Sequence, residues 1–248
     1  MLKFFRKIRY NLMSENKTGR YFKYAIGEII LVVIGILIAI QLNEWRNNAL
    51  NTKQKQNVLT SLKAEFMSNK SQLDTVLFYQ NKIQDAYPIV MDLIKKDTAD
   101  VDDSTYVKPY LNLGYAWTFD PINGALRSAI SSGEIHLIKN EHLIELLFSW
   151  EDVVKDSGEE GDRAIYHKDA SYEFRQKYIR THDALVGIVP GLIPSNYPSD
   201  YKSLFKDPLF EDYASLCYLD SRGYTNELGV IKKNNLEILK LIEEELNN

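Results

Sequence analysis

Three groups of ionisable side chains in this 248-residue sequence invite a chemical reading. Glu28 interrupts the apolar run "AIGEIILVVIGILIAIQL", His142 and Glu145 stand three apart in "NEHLIELL", and Asp97, Asp100, Asp102 and Asp103 crowd one short stretch. An acid inside a lipid-crossing segment is a candidate for proton or partner chemistry. A His and a Glu at i, i+3 share a helix face and can supply one side of a metal centre, and alternating acids can wrap calcium. A bundle metal centre, however, needs a second Glu-x-x-His copy and further inward glutamates, and one copy is present. A calcium loop needs a central glycine and a closing bidentate Glu, and these are missing. Both sets therefore read as solvated side chains, as do the acids of "DSGEEGD" at Asp156–Asp162. The other histidines, His136, His167 and His182, stand apart in the sequence, with His182-Asp183 an ordinary polar pair at a helix end. Cys217 is the single cysteine, so no intrachain disulfide forms, and it reads as a small buried group on a helix. No Gly-rich phosphate loop, nucleophile elbow, HExxH or paired cysteine occurs. The expectation is a protein with no catalytic residue, no metal and no cofactor, and not an enzyme.

The same run that holds Glu28 says where such a chain sits. Ile29 to Ile40 are twelve uninterrupted apolar residues, and Tyr24 to Leu42 make nineteen with Glu28 and Gln41 as the strongly polar members. That length approaches the roughly 20 residues a helix needs to cross a hydrocarbon core. Lys23 and Trp45 fall where a snorkelling cation and an interfacial indole belong. A buried core helix explains neither flank. A cleavable signal is disfavoured by more than twenty residues of basic head and by "AIQLNEW" in place of a small-x-small site. The reading is a signal anchor at 23–45, preceded by a basic juxtamembrane segment at 1–22 and followed by a polar stalk or solvated helix at 46–57 and a domain at 58–248.

Charge sets the orientation. The formal net charge is −4, but residues 1–23 carry +6, which leaves −10 on the rest. A basic head before the span places the amino terminus in the cytoplasm against anionic inner-leaflet lipid, and the body outside the inner membrane. An acidic body argues against nucleic acid as a partner. Glu28 then lies about one turn inside the cytoplasmic boundary, within reach of headgroups, Lys23 or Arg20, so snorkelling or pairing there is its plain role and partner chemistry the sharper one. Gly27, Gly35 and Ala39 share one helix face at i+4 spacing, a small-residue face on which two spans can pack into a homo-oligomer. Phe5, Ile8 and Leu12 line one face of a short amphipathic head on the inner leaflet.

The opening "MLKFFRKIRYNLMSENKTGRYFKYAIGEIILVVIGILIAIQLNEW" resembles the start of a family of uncharacterised bacterial single-span membrane proteins. Tyr24, Ala25, Ile26, Gly27 and Glu28 carry the likeness most directly, and "PINGALRSAISSGEIHLIKNEHL" at Pro121–Leu143 extends it more weakly. The resemblance implies location and architecture. It implies no activity and transfers no catalytic residue.

The body reads as all-α, a bundle of roughly four to six helices. Leu59, Leu62, Phe66, Leu73, Val76, Ile83, Tyr87, Val90 and Ile94 follow steps of three and four, with Asn69 and Gln80 in the remaining seam positions. Pro88 is expected to bend this helix near its end. "KKDTADVDDSTYVKP" reads as a loop. Asp120-Pro121 reads as a helix start and Gly133 as its stop, and Asn140 as the cap of a helix with Leu143, Leu147, Trp150 and Val154 on its stripe. Gly158 and Gly161 are expected to weaken that helix before Ile165, Tyr172 and Ile179 resume a similar face. "VGIVPGLIPSNYPSDY" reads as an ordered loop over the body, covering the bundle or marking a contact surface. Asp207-Pro208 opens a helix through Tyr213, Leu216 and Leu219, and a last helix after Gly223 carries Leu228, Ile231, Ile238 and Ile242, with Asn235 in the seam.

Tyr110, Tyr115, Trp117 and Phe119 crowd the approach to the short helix. They plug the end of the bundle or, in the sharper reading, form a ligand or partner surface. Two functions compete. One is a membrane-tethered interaction or scaffolding module that binds another protein or itself. The other is an extracytoplasmic small-molecule sensor subunit that relies on a partner for output.

Overall fold

Apolar residues recurring every three or four positions build helices, and helices are what form. A computed structural model describes residues 18–96, 101–186 and 188–247. Helix accounts for 82% of the structure, and no strand occurs among the described residues. The helices are α1 (Thr18–Lys95), α2 (Ser104–Leu113), α3 (Gly124–Ser132), α4 (Glu141–Ala170), α5 (Tyr172–Arg175), α6 (Thr181–Val186), α7 (Tyr201–Lys206) and α8 (Pro208–Leu246), with a 3-10 turn at Glu134–Leu137. The amphipathic head with Phe5, Ile8 and Leu12, and the acids Asp97 and Asp100, lie outside the described residues.

Two compact units divide between Gln56 and Asn57. In the first, the apolar run of α1 is exposed all the way round: Val32, Val33 and Ile34 are 57, 47 and 46% accessible. Three successive residues stand about 100° apart on a helix, so no surface among the described residues covers any side of this stretch. It is long and apolar enough to cross a membrane, and none of its apolar window is buried.

The second unit, Asn57–Asn248, holds two apolar clusters. One gathers Leu59, Leu62, Phe66, Leu73 and Val76 of α1 with Leu126 of α3, Leu143, Leu147 and Trp150 of α4, and Leu228, Ile231 and Ile238 of α8. The other gathers Ile83, Ala86, Val90 and Leu93 of α1 with Tyr106, Tyr110 and Leu113 of α2, Leu204 and Phe205 of α7, and Phe210 and Tyr213 of α8. Moving between them turns the buried line of α1. A strict three-four alternation drifts by about 20° per heptad on a straight helix, and beyond Ile83 the line steps on through Ala86 and Leu93. Tyr87 and Ile94, expected in the seam, are half-buried beside it. Pro88 lies on the exposed side inside α1, which continues to Lys95.

Several boundaries differ from expectation, each for a local reason. Part of the expected loop before Pro109 is α2, which begins at Ser104. The short helix starts at Gly124 rather than at Asp120-Pro121, because its first free N–H groups find an acceptor from another helix. The Glu65 carboxylate of α1 takes the N–H of Ala125 at 2.6 Å and of Leu126 at 3.0 Å. Its end is as expected, Gly133 adopting a left-handed φ of 76°. Asn140 accepts from Leu143 N at 3.0 Å, and α4 then runs unbroken through Gly158 and Gly161. Gly161 serves contact and not interruption: a Cβ there would lie 3.4 Å from the Tyr224 ring and 3.3 Å from Thr118. With Ser157 and Gly161 as the buried positions, Ile165 and Tyr172 turn outward.

Asp207 caps α8 through Leu209 N at 2.9 Å, with Pro208 in the first turn as predicted. Gly223 does not divide it, so one helix stands where two were expected. Leu216 and Leu219 are exposed, and Phe210, Ala214, Ser221 and Tyr224 take the core-facing places. In the segment after α6, Ile188, Val189, Ile193 and Tyr197 are exposed and Leu192 is half-buried, so it lays few of its apolar groups on the body.

Candidate functional site

Burying the second apolar cluster leaves a groove beside it. Its one wall is α2, with Val107, Tyr110 and Leu111, continued by Tyr115; the other runs from Lys168 through Tyr172 and Arg175 to Ile179, Leu185 and Ile188. The groove encloses about 840 Å³, within the size range of small-molecule sites. Arg175 is a polar lining residue held by three side-chain hydrogen bonds. Its Nη1 donates to Tyr110 Oη at 3.1 Å, Nη2 to the Lys168 carbonyl at 3.1 Å and Nε to Ser171 Oγ at 3.0 Å. The guanidinium also lies 4.8 Å above the Tyr213 ring. Burial works against its charge, but the Tyr213 and Tyr110 phenols beside it outweigh that, and its pKa sits above the ordinary value.

The four aromatics singled out in the sequence do not form one surface. Tyr110 is buried in the second cluster and Phe119 in the first, where it meets Trp150 edge-on at 6.4 Å. Tyr115 and Trp117 are brought together by Tyr79 of α1, with ring centres 4.7 Å from each and Trp117 stacked within 3° of parallel. Only Tyr110 and Tyr115 reach the groove. Between them and α3, residues 115–123 are held by side chains of the long helices. Gln80 donates to the Trp117 carbonyl at 3.1 Å, and Tyr224 Oη accepts from Phe119 N at 2.8 Å. Asn69 both donates to Ile122 O (2.8 Å) and accepts from Ile122 N (2.9 Å). The two polar seam residues of α1 therefore serve this loop.

Gly35 and Ala39 are exposed on α1 and Gly27 is half-buried, and a Cβ on either glycine would meet nothing within 4 Å. Glu28 is half-buried on the same helix. His142 and Glu145 are 3.6 Å apart and well exposed, and no group of three potential metal ligands occurs among the described residues.

Residues 28–148 match the model of a family of unknown function, DUF6090. No curated protein and no solved structure matches the chain. The DUF6090 stretch takes in the apolar helix, Glu65 and Asn69, the loop they hold, and the first turns of α4. It ends before Lys168, so the groove has its α2 wall inside the matched stretch and Arg175 outside it.

Sequence reasoning missed Arg175, and it missed a cluster of ionisable side chains around the buried Asp220 between α4 and α8. Asp220 is 2% exposed, with Oδ2 2.6 Å from His167 Nδ1 and Oδ1 3.3 Å from Arg163 Nε. Arg163 pairs in turn with Glu160. The signal was weak in both cases. Arg175 ends a four-residue helix too short to show periodicity, and Asp220 falls on a face whose register the expected break at Gly223 concealed.

Proposed function

We propose that this protein is a single-span, membrane-anchored binding module with no catalytic activity, its amino terminus cytoplasmic and its helical unit outside the inner membrane. One observation carries the reading: the run from Ile29 to Ile40 is helical and apolar on every side, and nothing among the described residues covers it. Water is a costly surround for such a collar, and lipid is the medium in which a helix apolar all round is at rest. The basic head and acidic remainder supply the orientation. Small residues on one side of the span support pairing of two copies within the bilayer.

For the helical unit the interaction role is favoured. The segment after α6 carries four exposed apolar side chains, Ile188, Val189, Ile193 and Tyr197, which another protein can cover. The sensor reading draws on a different observation, the groove beside Tyr110 and Tyr115. Carbonate washing and protease treatment of spheroplasts from a bacterial host test the anchor. The full-length chain is expected to stay in the membrane pellet and to lose its 57–248 portion to external protease. Release by carbonate, or a protected carboxyl-terminal portion, would overturn the proposal.

A further inference from the structure

We propose that the groove between α2 and the 168–188 segment binds an amphiphilic anion, a single acyl chain ending in a carboxylate. The inference rests on reading the protein as a binding module and names the ligand class of that site. Two observations on the groove argue for it together. The walls are mostly apolar, supplied by Val107, Leu111, Ile179, Ala184, Leu185 and Ile188, which suits a hydrocarbon chain. Every charged residue lining it is a cation, Lys108, Lys168 and Arg175, with no Asp or Glu among the lining residues. That sign stands against the −10 carried by the chain beyond residue 23, so the groove is a positive, oily place on an acidic body.

Arg175 supplies the geometry for the head. A guanidinium has five N–H groups, and three are engaged with Ser171, Tyr110 and Lys168. One N–H on each terminal nitrogen is left by these bonds, and a carboxylate offers two oxygens to accept them. The three existing bonds and the Tyr213 face hold the fork still, so little ordering is left for the ligand to bring about. No carboxylate among the described residues pairs with Lys108 or Lys168, whose ammonium groups are thus available to an incoming anion.

The test uses the full chain in nanodiscs of zwitterionic phosphatidylcholine and a sixteen-carbon fatty acid bearing a mid-chain diazirine. After photolysis, adducts are mapped by mass spectrometry. The expected result is labelling on peptides containing Leu111, Tyr172 or Leu185, competed by dodecanoate. The double variant Lys108→Glu/Lys168→Glu is expected to lower that labelling about tenfold or more with an unchanged circular dichroism melt. Arg175→Gln is expected to do the same, and its melt separates loss of binding from loss of fold. Labelling that dodecanol or dodecyl phosphate competes as well as dodecanoate does would overturn the proposal. So would labelling confined to the apolar helix, labelling unmoved by charge reversal, or competition only by an acidic amphipathic peptide. Topology is read separately by carbonate and protease. An anchored protein that fails the labelling test therefore loses only this ligand assignment.

Discussion

Tyr106 and Tyr224 are both almost completely buried, yet their hydroxyls are in opposite circumstances. Tyr224 Oη accepts from Phe119 N at 2.8 Å, while Tyr106 Oη has no hydrogen-bond partner among the described residues. An unpaired buried hydroxyl costs free energy, and removing an acceptor from a buried N–H costs more than the bond itself. Tyr106→Phe is therefore expected to leave stability unchanged or raise it by up to about 1 kcal/mol, and Tyr224→Phe to lower it by about 1–3 kcal/mol; urea melts of the two variants would show the contrast. Cys217 offers a second single-site expectation. Burial pushes its thiol up to about 11, so at pH 8 it carries about two orders of magnitude less thiolate than a free cysteine. A disulfide reagent should modify it slowly in the native protein and at the ordinary rate in urea. Because the folded state favours the neutral thiol, the associated stabilisation is intact below the free-thiol pKa and is lost as pH climbs towards 11.

Among the helices, α3 depends on α1 for its beginning. Glu65 replaces a local cap, and Asn69 pairs both backbone groups of Ile122. Glu65→Ala is expected to cost about 0.5–2 kcal/mol, the usual worth of an N-cap. Asn69→Leu leaves the Ile122 N–H and C=O without these partners and is expected to cost about 2 kcal/mol or more. Hydrogen exchange should quicken at Ile122, Ala125 and Leu126 in both variants if the loop is held from α1. One of the ties between α1 and α8 is ionic. Asp74 accepts from Lys232 at 2.6 Å and Lys70 at 2.8 Å, and these lysines hold its carboxyl below the ordinary range. A depressed carboxylate pKa adds stability above the unfolded value of about 3.9. That contribution disappears as pH falls through the folded value. The Tm gap between wild type and Asp74→Asn should thus be open at pH 6 and close on acidification, and a gap that persisted at low pH would count against the pairing.

Across the 57–248 unit, two apolar clusters share α1 and α8 as common walls. Neither cluster can come apart without loosening helices that the other needs, so the unit is expected to melt in one transition. Leu147→Ala in the first cluster and Leu204→Ala in the second should each cost about 2–5 kcal/mol and lower the same calorimetric peak. Two resolved peaks, with each variant moving only one, would show that the clusters unfold independently.

What could be read without coordinates was whatever repeats or punctuates locally. The helical class, the apolar collar, the caps at Asn140 and Asp207 and the stop at Gly133 follow from period, donor chemistry and backbone freedom, all properties of neighbours in the chain. Gly161 and Gly223 misled, because a glycine that permits close helix contact looks the same in one dimension as a glycine that ends a helix, and Gly158 is simply carried inside α4 with open space beside it. The start of α3 misled for a related reason: its cap comes from Glu65, sixty residues away in the chain. The groove belongs to the same class of fact. Tyr110 and Arg175 meet across sixty-five positions, and a contact of that kind arises when buried faces pack, so no local pattern announces it.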